Sequence, residues 1–400
     1  MRYFFVLGNN PALSSAEIQA LFPEAQIYLA APEVLILEAG RVLPVEKLIK
    51  RLGGTIKIGT IEEKVSGGQE QVLKKLGGLF NIITADKDLP AGKFNFGFSF
   101  YGPKPLNLKK IGLEIKNLLK EKKISCRLVV SREQNLSSVV VEQNRLLKRG
   151  AEIVLIRQEN NFLIGRSQAV QDFKGLSKRD YGRPGRDDKS GMLPPKLAQI
   201  MINLALGPIV SPKARILDPF CGSGTILTEA LLMDSQNVVG SDIAKMAIDD
   251  SKANLKWVIS NFSIANSHYE LYKKSVLDLE KFIKRDSIDF IITEPYLGPQ
   301  RGFFQAPLVV KELNELYAKA LIEFSRVLKT DGRVVMVWPV FFNKHSLNPD
   351  LGDFAIKPIL NKELARNQYL KMTNRQTIVY GRPGQRVFRE IVVLEKKSER

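Results

Sequence analysis

Apolar and polar positions follow two different patterns along the chain. In the first half, short apolar runs of period two alternate with glycine and proline breaks, which is typical of mixed α and β structure. A helix is expected through Ala20, capped by Ser14 or Ser15 with Glu17 as the capping-box acid. The strands are predicted at YFFVL, VLILEAG, TIKIGTIEEKV, a half-buried FNFGFSFYG, CRLVV, SSVVVEQN and AEIVLIRQ. A small α/β module therefore fits residues 1–54, and the pattern restarts at Thr55.

The clearest amphipathic helix of this half is predicted between Leu106 and Lys123. Its opposite face is rich in lysine. Such a face is either a solvated helix exterior or a surface that binds polyanions. The apolar face consists of Leu106, Ile111, Ile115, Leu118 and Leu119.

A polar, glycine-rich stretch from Asp172 to Lys196 lacks periodicity and contains several turn signals, so it predicts a linker. After it, apolar strands alternate with amphipathic helices, which is typical of a parallel α/β sheet. The domain boundary is expected between residues 170 and 190.

Charge and composition narrow the class of protein. The 400 residues include 60 Lys and Arg against 42 Asp and Glu, a net charge of +18, with 44% hydrophobic residues. A folded protein that attracts polyanions fits these values, and a disordered basic tail does not. Two cysteines, Cys126 and Cys221, exclude a disulfide-dense secreted scaffold, and two histidines, His268 and His345, exclude a dense Cys/His metal cluster.

The sequence also predicts a cytoplasmic protein with no membrane span. The apolar stretch at the N-terminus is too short for a secretory signal and lacks a cleavage pattern. The longest apolar run, from Val334 to Phe342, is much shorter than the roughly 18 residues of a membrane helix.

The stretch ARILDPFCGSGT predicts a strand, a glycine turn and a helix that starts near Thr225. Glycines such as Gly222 and Gly224 let the backbone approach a ligand at the carboxyl end of a parallel strand. The turn lacks the full G-x-G-x-x-G spacing and opens with Asp218, next to Phe220. An acid there suits a ligand with a cationic amino group, which S-adenosylmethionine has and NAD lacks.

Two further acids follow in order. Asp242 ends the next strand, VVGSDI, just before Ile243, and is the expected acceptor for ribose hydroxyls. Asp278, in SVLDLEKF, is expected to accept from the adenine amine. Each acid alone is more often an ordinary strand-end or cap residue. Together, behind a glycine turn, the three acids predict an S-adenosylmethionine site.

A fourth strand, SIDFIIT, ends in Glu294, Pro295 and Tyr296. The lone pair of an exocyclic base amine is delocalised into the ring, so the amine is a poor nucleophile. Two acceptors can hold its N–H groups so that the nitrogen lies in line with a methyl donor. The Glu294 carboxylate and the Pro295 carbonyl are the expected acceptors, and the Tyr296 ring is expected to stack on the base.

These motifs resemble those of the THUMP-domain tRNA guanine-N2 methyltransferases of archaea and eukaryotes. The resemblance also includes the runs FKGLSKRDYGRP, GMLPPKLAQIMINLA, IVYGRPGQRVFREIVVL and the opening FVLGNNPALSSAEIQAL. The resemblance implies a Rossmann-like class I methyltransferase domain behind an N-terminal α+β region. The implied boundaries are a ferredoxin-like module at 1–54, a THUMP RNA-binding domain at 55–170, a linker at 171–190 and the methyltransferase domain at 191–400. The implied product is N2-methylguanosine or N2,N2-dimethylguanosine in tRNA.

The resemblance also assigns roles to residues outside the core motifs. Met192, Leu193 and Pro194 are expected to cover the methionine end of the cofactor. Arg179, Asp180 and Arg183 are expected to order the substrate loop or to meet phosphates, and the alternative for Arg179 and Asp180 is a linker salt bridge. The tRNA-binding residues are expected to be Lys109, Lys110, Lys116, Arg132, Arg179 and Arg183. A small activating subunit is a further candidate partner.

The chain departs from the family where it has TEPYL in place of the common T-D-P-P-Y. Glutamate is one methylene longer than aspartate, which moves its carboxylate by roughly 1.5 Å. Two alternatives therefore stay open: an amino-methyltransferase that acts on ribosomal RNA or DNA, and a tRNA-binding protein with a weakened catalytic centre. Cys221, Trp257 and Trp338 are interpreted as structural residues.

Overall fold

The computed structural model describes residues 1–85, 92–186, 192–208, 211–299, 305–341, 370–372, 378–381, 385 and 387–396. The chain divides into two compact units. The first contains Met1–Ser15 and Pro23–Gly175, and the second contains Ala16–Phe22 and Leu176–Arg400. The division therefore falls inside the predicted linker 171–190, of which residues 187–190 lie outside the described ranges.

The N-terminal part of the chain alternates strands and helices around one eight-stranded sheet of order β2-β3-β1-β4-β8-β7-β5-β6. The strands are β1 (Arg2–Leu7), β2 (Gln26–Ala31), β3 (Val34–Glu38), β4 (Thr55–Ser66), β5 (Phe94–Tyr101), β6 (Cys126–Val129), β7 (Gly150–Gln158) and β8 (Asn161–Val170). The helices are α1 (Pro11–Leu21), α2 (Val45–Arg51), α3 (Gln69–Ala85), α4 (Leu108–Glu121), α5 (Ser138–Gln143), α6 (Leu146–Arg149) and α7 (Phe173–Tyr181).

The strand order β2-β3-β1-β4 in a β-α-β-β-α-β succession is that of a ferredoxin-like fold. Strand β4 completes this module and also pairs with β8, so one sheet continues across residue 54. The division of this region into a module at 1–54 and a THUMP domain at 55–170 stays a prediction.

Aromatic packing fills the core under β5. Phe80 of α3 contacts Phe96 edge to face, with ring centroids 5.2 Å apart, and also packs against Phe94 and Phe98. Strand β5 lies between β6 and β7, and Ser99 on its other face is also buried. The prediction of a half-buried strand here is therefore wrong, because both faces of β5 are covered.

Two other local predictions are corrected. The run SSVVVEQN forms α5 rather than a strand, because Ser137 caps a helix by accepting from the Val140 amide at 3.3 Å. The first helix starts at Pro11, three residues before Ser14, and Asn10 Oδ1 accepts from the Leu13 amide at 3.1 Å, as an N-cap does.

Two side chains also differ from their predicted positions. Glu17 is buried and accepts a hydrogen bond from Asn203 of the same compact unit, so it is not a capping-box acid. On α4, Leu118 is exposed, whereas Ile111, Ile115 and Leu119 of the predicted apolar face are buried.

A buried ion pair and its hydrogen bonds join four strands of the first sheet, β4, β5, β7 and β8. Lys57 of β4 and Glu152 of β7 contact each other with side chains only 1% and 0% exposed. Glu152 also accepts from Ser99 at 2.6 Å and from Ser167 at 2.7 Å, and Lys57 donates to the Leu136 carbonyl. Every polar atom of this network therefore has a partner, which buried charges require.

The C-terminal part has a second sheet of order β11-β10-β9-β12-β13-β16-β14, with β15 paired to β16. The strands are β9 (Arg215–Asp218), β10 (Asn237–Asp242), β11 (His268–Lys273), β12 (Ile288–Thr293), β13 (Leu328–Phe341), β14 (Leu370–Met372), β15 (Ile378–Tyr380) and β16 (Val387–Lys396). The helices are α8 (Pro195–Leu206), α9 (Thr225–Leu232), α10 (Lys245–Asn261) and α11 (Ala306–Val327), with a 3₁₀ turn at Val276–Lys281.

The strand order reverses between β9 and β12. Strands β9, β10 and β11 follow one another in one direction, and β12 returns to the other side of β9, all in parallel. Such a switch point leaves a crevice outside the carboxyl ends of the two strands, where α/β proteins bind ligands. Asp218 ends β9 and Thr293 ends β12, so both predicted motifs meet at this crevice.

The apolar run that starts at Val334 is the buried strand β13, while Phe342 lies outside the described residues. Among the helices that the structure describes, none is long and apolar enough to span a membrane.

Candidate functional site

The glycine turn between β9 and α9 has the conformation that the sequence predicts. Gly222 and Gly224 have φ angles of +48° and +79°. A Cβ at Gly224 would lie 2.8 Å from the Ser251 hydroxyl oxygen, whereas one at Gly222 would meet no atom within 4 Å. Gly224 is therefore needed for backbone conformation and packing, and Gly222 leaves open space in front of the turn.

Asp218 lies buried at the crevice. Its side chain is 2% exposed, and Oδ1 accepts from the Thr293 hydroxyl at 2.7 Å and from the Phe220 amide at 3.2 Å. The pKa of Asp218 is raised to about 7, chiefly by burial; the two donors lower it, and the charges of Asp242 and Glu294 contribute to the rise. A buried carboxylate in this environment favours a cationic ligand.

Asp242 connects the end of β10 to the glycine turn. Its Oδ2 accepts from the Gly222 amide at 3.1 Å and its Oδ1 from the Ala244 amide at 2.9 Å. The next side chain, Ile243, is exposed and offers an apolar surface beside this acid.

Asp278 lies in the 3₁₀ turn that follows β11 and is partly exposed. It forms an ion pair with Lys281 at 2.6 Å. The neighbouring Leu277 is exposed, as Ile243 is. The carboxylates predicted to bind the cofactor thus follow β9, β10 and β11 along one edge of the sheet.

Of the arginines predicted in the linker, Arg183 is buried and Arg179 is partly buried in the second unit. Arg183 is 5% exposed and donates to the Thr225 hydroxyl at 2.6 Å and to the Met192 sulfur at 2.9 Å. Arg179 pairs with buried Glu229 of α9 at 2.7 Å. Of the two roles expected for these arginines, these contacts support the ordering of a loop rather than phosphate binding. Arg179 pairs with Glu229 rather than with the neighbouring Asp180.

Residues 182–186 and 192–194 thus lie against the start of α9. Asn254 of α10 donates to the carbonyls of Gly185 and Ser223 at 2.9 and 2.7 Å, which ties this segment to the glycine turn. Leu193 is buried, and Pro194 is the N-cap of α8.

The segment after β12 is held by two distant elements. Glu294 forms a bidentate ion pair with Arg389 of β16, with both N···O distances 2.9 Å. The buried Tyr317 hydroxyl of α11 donates to the Tyr296 carbonyl at 2.7 Å. Pro295 is buried, whereas the Tyr296 side chain is 60% exposed. An acceptor carboxylate and an exposed aromatic side chain therefore lie two residues apart in this segment.

Sequence reasoning did not single out Arg389, Tyr317 or Thr293, although each contacts a predicted site residue. The only sequence signal was that Arg389 lies in the C-terminal block of the family resemblance. The separations explain this, because Arg389 is 95 residues from Glu294 and Thr293 is 75 from Asp218.

The structural interpretations of three residues are confirmed. Cys221 is buried and burial raises its pKa well above the ordinary value, so it is a poor nucleophile. Trp338 is fully buried on β13, and Trp257 packs edge to face on Phe262.

Within the described ranges, no group of three or more His, Cys, Asp or Glu side chains could hold a metal ion. His345 lies outside these ranges.

The predicted basic surface lies in the first unit. Lys109, Lys110 and Arg132 are exposed, and Lys116 is half-buried. The window from residue 101 to 150 contains 12 Lys and Arg and 4 Asp and Glu.

Comparison with known families agrees with this geometry. Residues 183–345 match the UPF0020 family, described as an RMKL-like methyltransferase domain. The chain is 32% identical over 157 residues to the tRNA (guanine(10)-N2)-dimethyltransferase of Methanothermobacter thermautotrophicus, covering 39% of this chain and 41% of that protein. It is 25% identical over 190 residues to the protein of that name from Pyrococcus abyssi, covering 46% and 50%.

Among solved structures, the fold is similar to that of TrmN from Thermus thermophilus, with a TM-score of 0.56 and 17% identity over 99% of this chain and 100% of that one. This likeness confirms the predicted α/β class, and the family match at residues 183–345 supports the predicted Rossmann-like methyltransferase domain. The family match and the names of the relatives confirm the resemblance drawn from the motifs. The chain spans about half the length, or less, of the curated relatives it matches.

Proposed function

We propose that this protein transfers a methyl group from S-adenosylmethionine to the exocyclic N2 amine of a guanosine in tRNA. The observation that carries the proposal is the crevice at the β9/β12 switch point of a methyltransferase domain. There, a hydrogen bond of 2.7 Å links the proposed cofactor acid, Asp218, to the residue before the proposed base-binding acid, Glu294. The relatives named tRNA (guanine(10)-N2)-dimethyltransferase support the choice of base, atom and RNA.

The residues at the crevice fit S-adenosylmethionine. Open space faces the backbone of the turn at Gly222, and the buried Asp218 carboxylate lacks a cationic partner among the hydrogen bonds described for it. We expect Asp218 to bind the amino group, Asp242 the ribose hydroxyls and Asp278 the adenine amine. Ile243 and Leu277 are exposed apolar side chains that fit the two faces of a purine. Asp278 would have to share its carboxylate with Lys281.

The remaining predicted contacts complete the cofactor site. Phe220, Gly222, Gly224 and Thr225 form the turn, and Arg183 binds both Thr225 and Met192. Met192, Leu193 and Pro194 are therefore proposed to cover the methionine end of the cofactor.

The bound cofactor supplies an electrophilic methyl group on a sulfonium. Glu294 and the Pro295 carbonyl accept the two N–H groups of the base amine, and Tyr296 stacks on the base. The N2 lone pair forms the new N–C bond while the C–S bond breaks and its electron pair passes to sulfur. The amine then loses its extra proton to Glu294 or to water.

A nucleoside assay tests the reaction class. The purified chain is incubated with labelled S-adenosylmethionine and, separately, with total tRNA, ribosomal RNA and duplex DNA, and each product is digested to nucleosides. Label in N2-methylguanosine or N2,N2-dimethylguanosine from tRNA is expected. Label only in methyladenosine or methylcytidine would instead favour the alternative amino-methyltransferase.

Fragment mass spectrometry of one purified tRNA would then identify the modified nucleotide and the number of methyl groups. Position 10, which the names of the relatives specify, is the first candidate. Activity of the chain alone would remove the need for a small activating subunit.

We propose that the basic face of α4, with Arg132, binds the tRNA backbone. Replacing Lys109 and Lys110 by alanine should weaken tRNA binding and reduce the slope of log affinity against log salt by about 2, because each lysine that contacts phosphate contributes about 1. Filter binding between 50 and 300 mM salt measures the slope.

Lys47 and Lys50 of α2 provide a matched control, since both are exposed lysines of the same unit. Their replacement by alanine should change the slope much less. Equal effects of the two double substitutions would argue for a general basic coat instead of a binding face.

A further inference from the structure

Arg389 and Glu294 form an enclosed pair at the proposed base-binding site. Their side chains are 10% and 13% exposed, and two parallel N–H···O contacts of 2.9 Å join them. Arg389 lies opposite Pro339 in the antiparallel β13–β16 pair, and β13 is the strand between β16 and β12. The guanidinium therefore reaches across β13, beyond the last paired residue of β12, to the residue that follows β12.

This pairing determines the orientation of the carboxylate. Glutamate has one more rotatable bond than aspartate, so a free side chain would place its oxygens loosely. A bidentate guanidinium fixes the carboxylate plane, and its two parallel N–H groups donate to both oxygens. Each oxygen retains a further acceptor position, so Glu294 can accept hydrogen bonds from a base but cannot donate one.

The backbone beside this carboxylate is held as well. Tyr317 donates to the carbonyl of Tyr296, and burial raises the pKa of the Tyr317 hydroxyl well above its ordinary value, so the donor keeps its proton. The segment Glu294–Tyr296 thus has a fixed side chain at its start and a fixed carbonyl at its end.

We infer that Arg389 is a positioning residue that makes Glu294 an acceptor-only group and thereby selects a base edge with two adjacent donors. The inference rests on the proposed function and deepens it. Guanine presents N1–H and N2–H side by side and can donate both to one carboxylate. Adenine and cytosine place a ring-nitrogen acceptor next to the amine, which a carboxylate repels.

Kinetics of Arg389 variants test the positioning role. Arg389→Lys keeps a positive charge but loses the two parallel N–H donors of the guanidinium, so kcat should fall about tenfold. Arg389→Met loses the charge as well and should lower kcat about a hundredfold. KM for tRNA should stay within about threefold in both. Without the guanidinium, the Glu294 carboxylate can rotate away from the base, so the loss should appear in kcat rather than in the affinity for tRNA.

Arg333→Met is a matched control, because Arg333 and Glu395 also pair across β13 and β16 but at the opposite end of these strands. This variant should keep the kcat of the natural protein even if its stability falls. Guanidinium salts added to Arg389→Met should restore part of kcat. A kcat that Arg389→Met leaves unchanged, or that added guanidinium fails to restore, would overturn the positioning role.

A base analogue tests the selection of the edge. Once the target guanosine is mapped, it is replaced by 2-aminopurine, which keeps the N2 amine but has an acceptor at N1. The natural protein should prefer guanine over this analogue by about a hundredfold or more in kcat/KM, and Glu294→Gln, whose amide can also donate, should reduce that preference strongly.

Equal methylation of both bases by the natural protein would overturn the inference while the proposed function stands. Failure of the natural protein to form any N2-methylated guanosine would instead refute the proposed function itself. Binding of S-adenosylmethionine, measured by calorimetry, should be retained by every folded variant in the series.

Discussion

Replacing Asp218 by alanine should weaken S-adenosylmethionine binding by about 2–5 kcal/mol, which is roughly 30-fold to several thousandfold. The proposed ligand amine would lose its buried carboxylate partner, and Thr293 would lose the acceptor that it binds at 2.7 Å. Affinity for tRNA should stay within about twofold if the basic surface of the first unit dominates RNA binding. Calorimetry with the cofactor and filter binding with tRNA measure the two effects separately.

The same acid should make cofactor binding depend on pH. Burial raises the pKa of Asp218 to about 7, and a bound ammonium group favours the ionised form. Affinity should therefore rise about tenfold per pH unit up to roughly 7 and then level off. Binding near pH 6.5 should release a proton to the buffer, which calorimetry in buffers of different ionisation enthalpy detects.

The stability of the cofactor-free protein should show the opposite trend. The pKa of Asp218 is raised in the fold from its ordinary value of 3.8 to about 7, so the folded state binds more protons than the unfolded state in this range. The contribution of this group to stability is therefore lost as pH rises from about 4 through about 7.

Asp218→Asn is the control for both effects, because it keeps the shape and removes the titration. Its cofactor affinity should be low and nearly independent of pH. Its stability should lack the pH-dependent contribution of Asp218 between about pH 4 and 7. Measurements below about pH 7.5 keep the α-amino group of the ligand charged, since such groups lose their proton near 7.7–8.0. Equal loss of tRNA and cofactor binding in Asp218→Ala would contradict the separate roles of the two units.

Replacing Lys57 by methionine should destabilise the first unit by about 3–5 kcal/mol. The change removes the cationic partner of the buried Glu152 side chain and leaves Ser99 and Ser167 as its described donors. The Leu136 carbonyl also loses its lysine donor. The double replacement of Lys57 and Glu152 by methionine should recover much of this loss, because it removes both buried charges.

Tryptophan fluorescence would miss this effect, since Trp257 and Trp338 both lie in the second unit. Hydrogen exchange followed by mass spectrometry detects the loss of stability in the first unit. Exchange should become faster in peptides from β4, β7 and β8 and stay unchanged in peptides from β9 and β12. Lys75→Met is the control, because Lys75 forms an ion pair with Glu63 of β4 in which the side chains are 53% and 40% exposed. Loss of this exposed pair should change the free energy of unfolding by less than about 0.5 kcal/mol. Similar effects of Lys57→Met and Lys75→Met would show that burial of the pair is unimportant.

Local sequence patterns predicted the crevice at the carboxyl ends of β9 and β10 well. The strand ending at Asp218, the glycine turn and the helix from Thr225 are encoded by adjacent residues, and so is the strand ending at Asp242. Since parallel strands end at one edge of a sheet, their order along the chain was enough to bring these groups together. The same local reasoning failed for SSVVVEQN, where the valines suggest a strand but the Ser137 cap starts a helix.

The partners of the predicted site residues depended on long-range packing. The sequence identified Arg179 and Arg183 as notable arginines, but only the fold places them against Glu229 and Thr225 rather than in solvent. A charged side chain gives no sign of its own burial, because burial depends on which elements cover it.

By itself the sequence determined the α/β class, the glycine turn, the order of the acids along the chain and the basic character of residues 101–150. Those features are local, since they depend on residue type and on spacing within one or two elements. Only the tertiary structure decided that Glu294 is held by Arg389 and that Asp218 is buried against Thr293. These contacts require the antiparallel addition of β16 beside β13 and the switch between β9 and β12. Pairings between strands so far apart in the chain are determined by the packing of the whole sheet rather than by any local pattern.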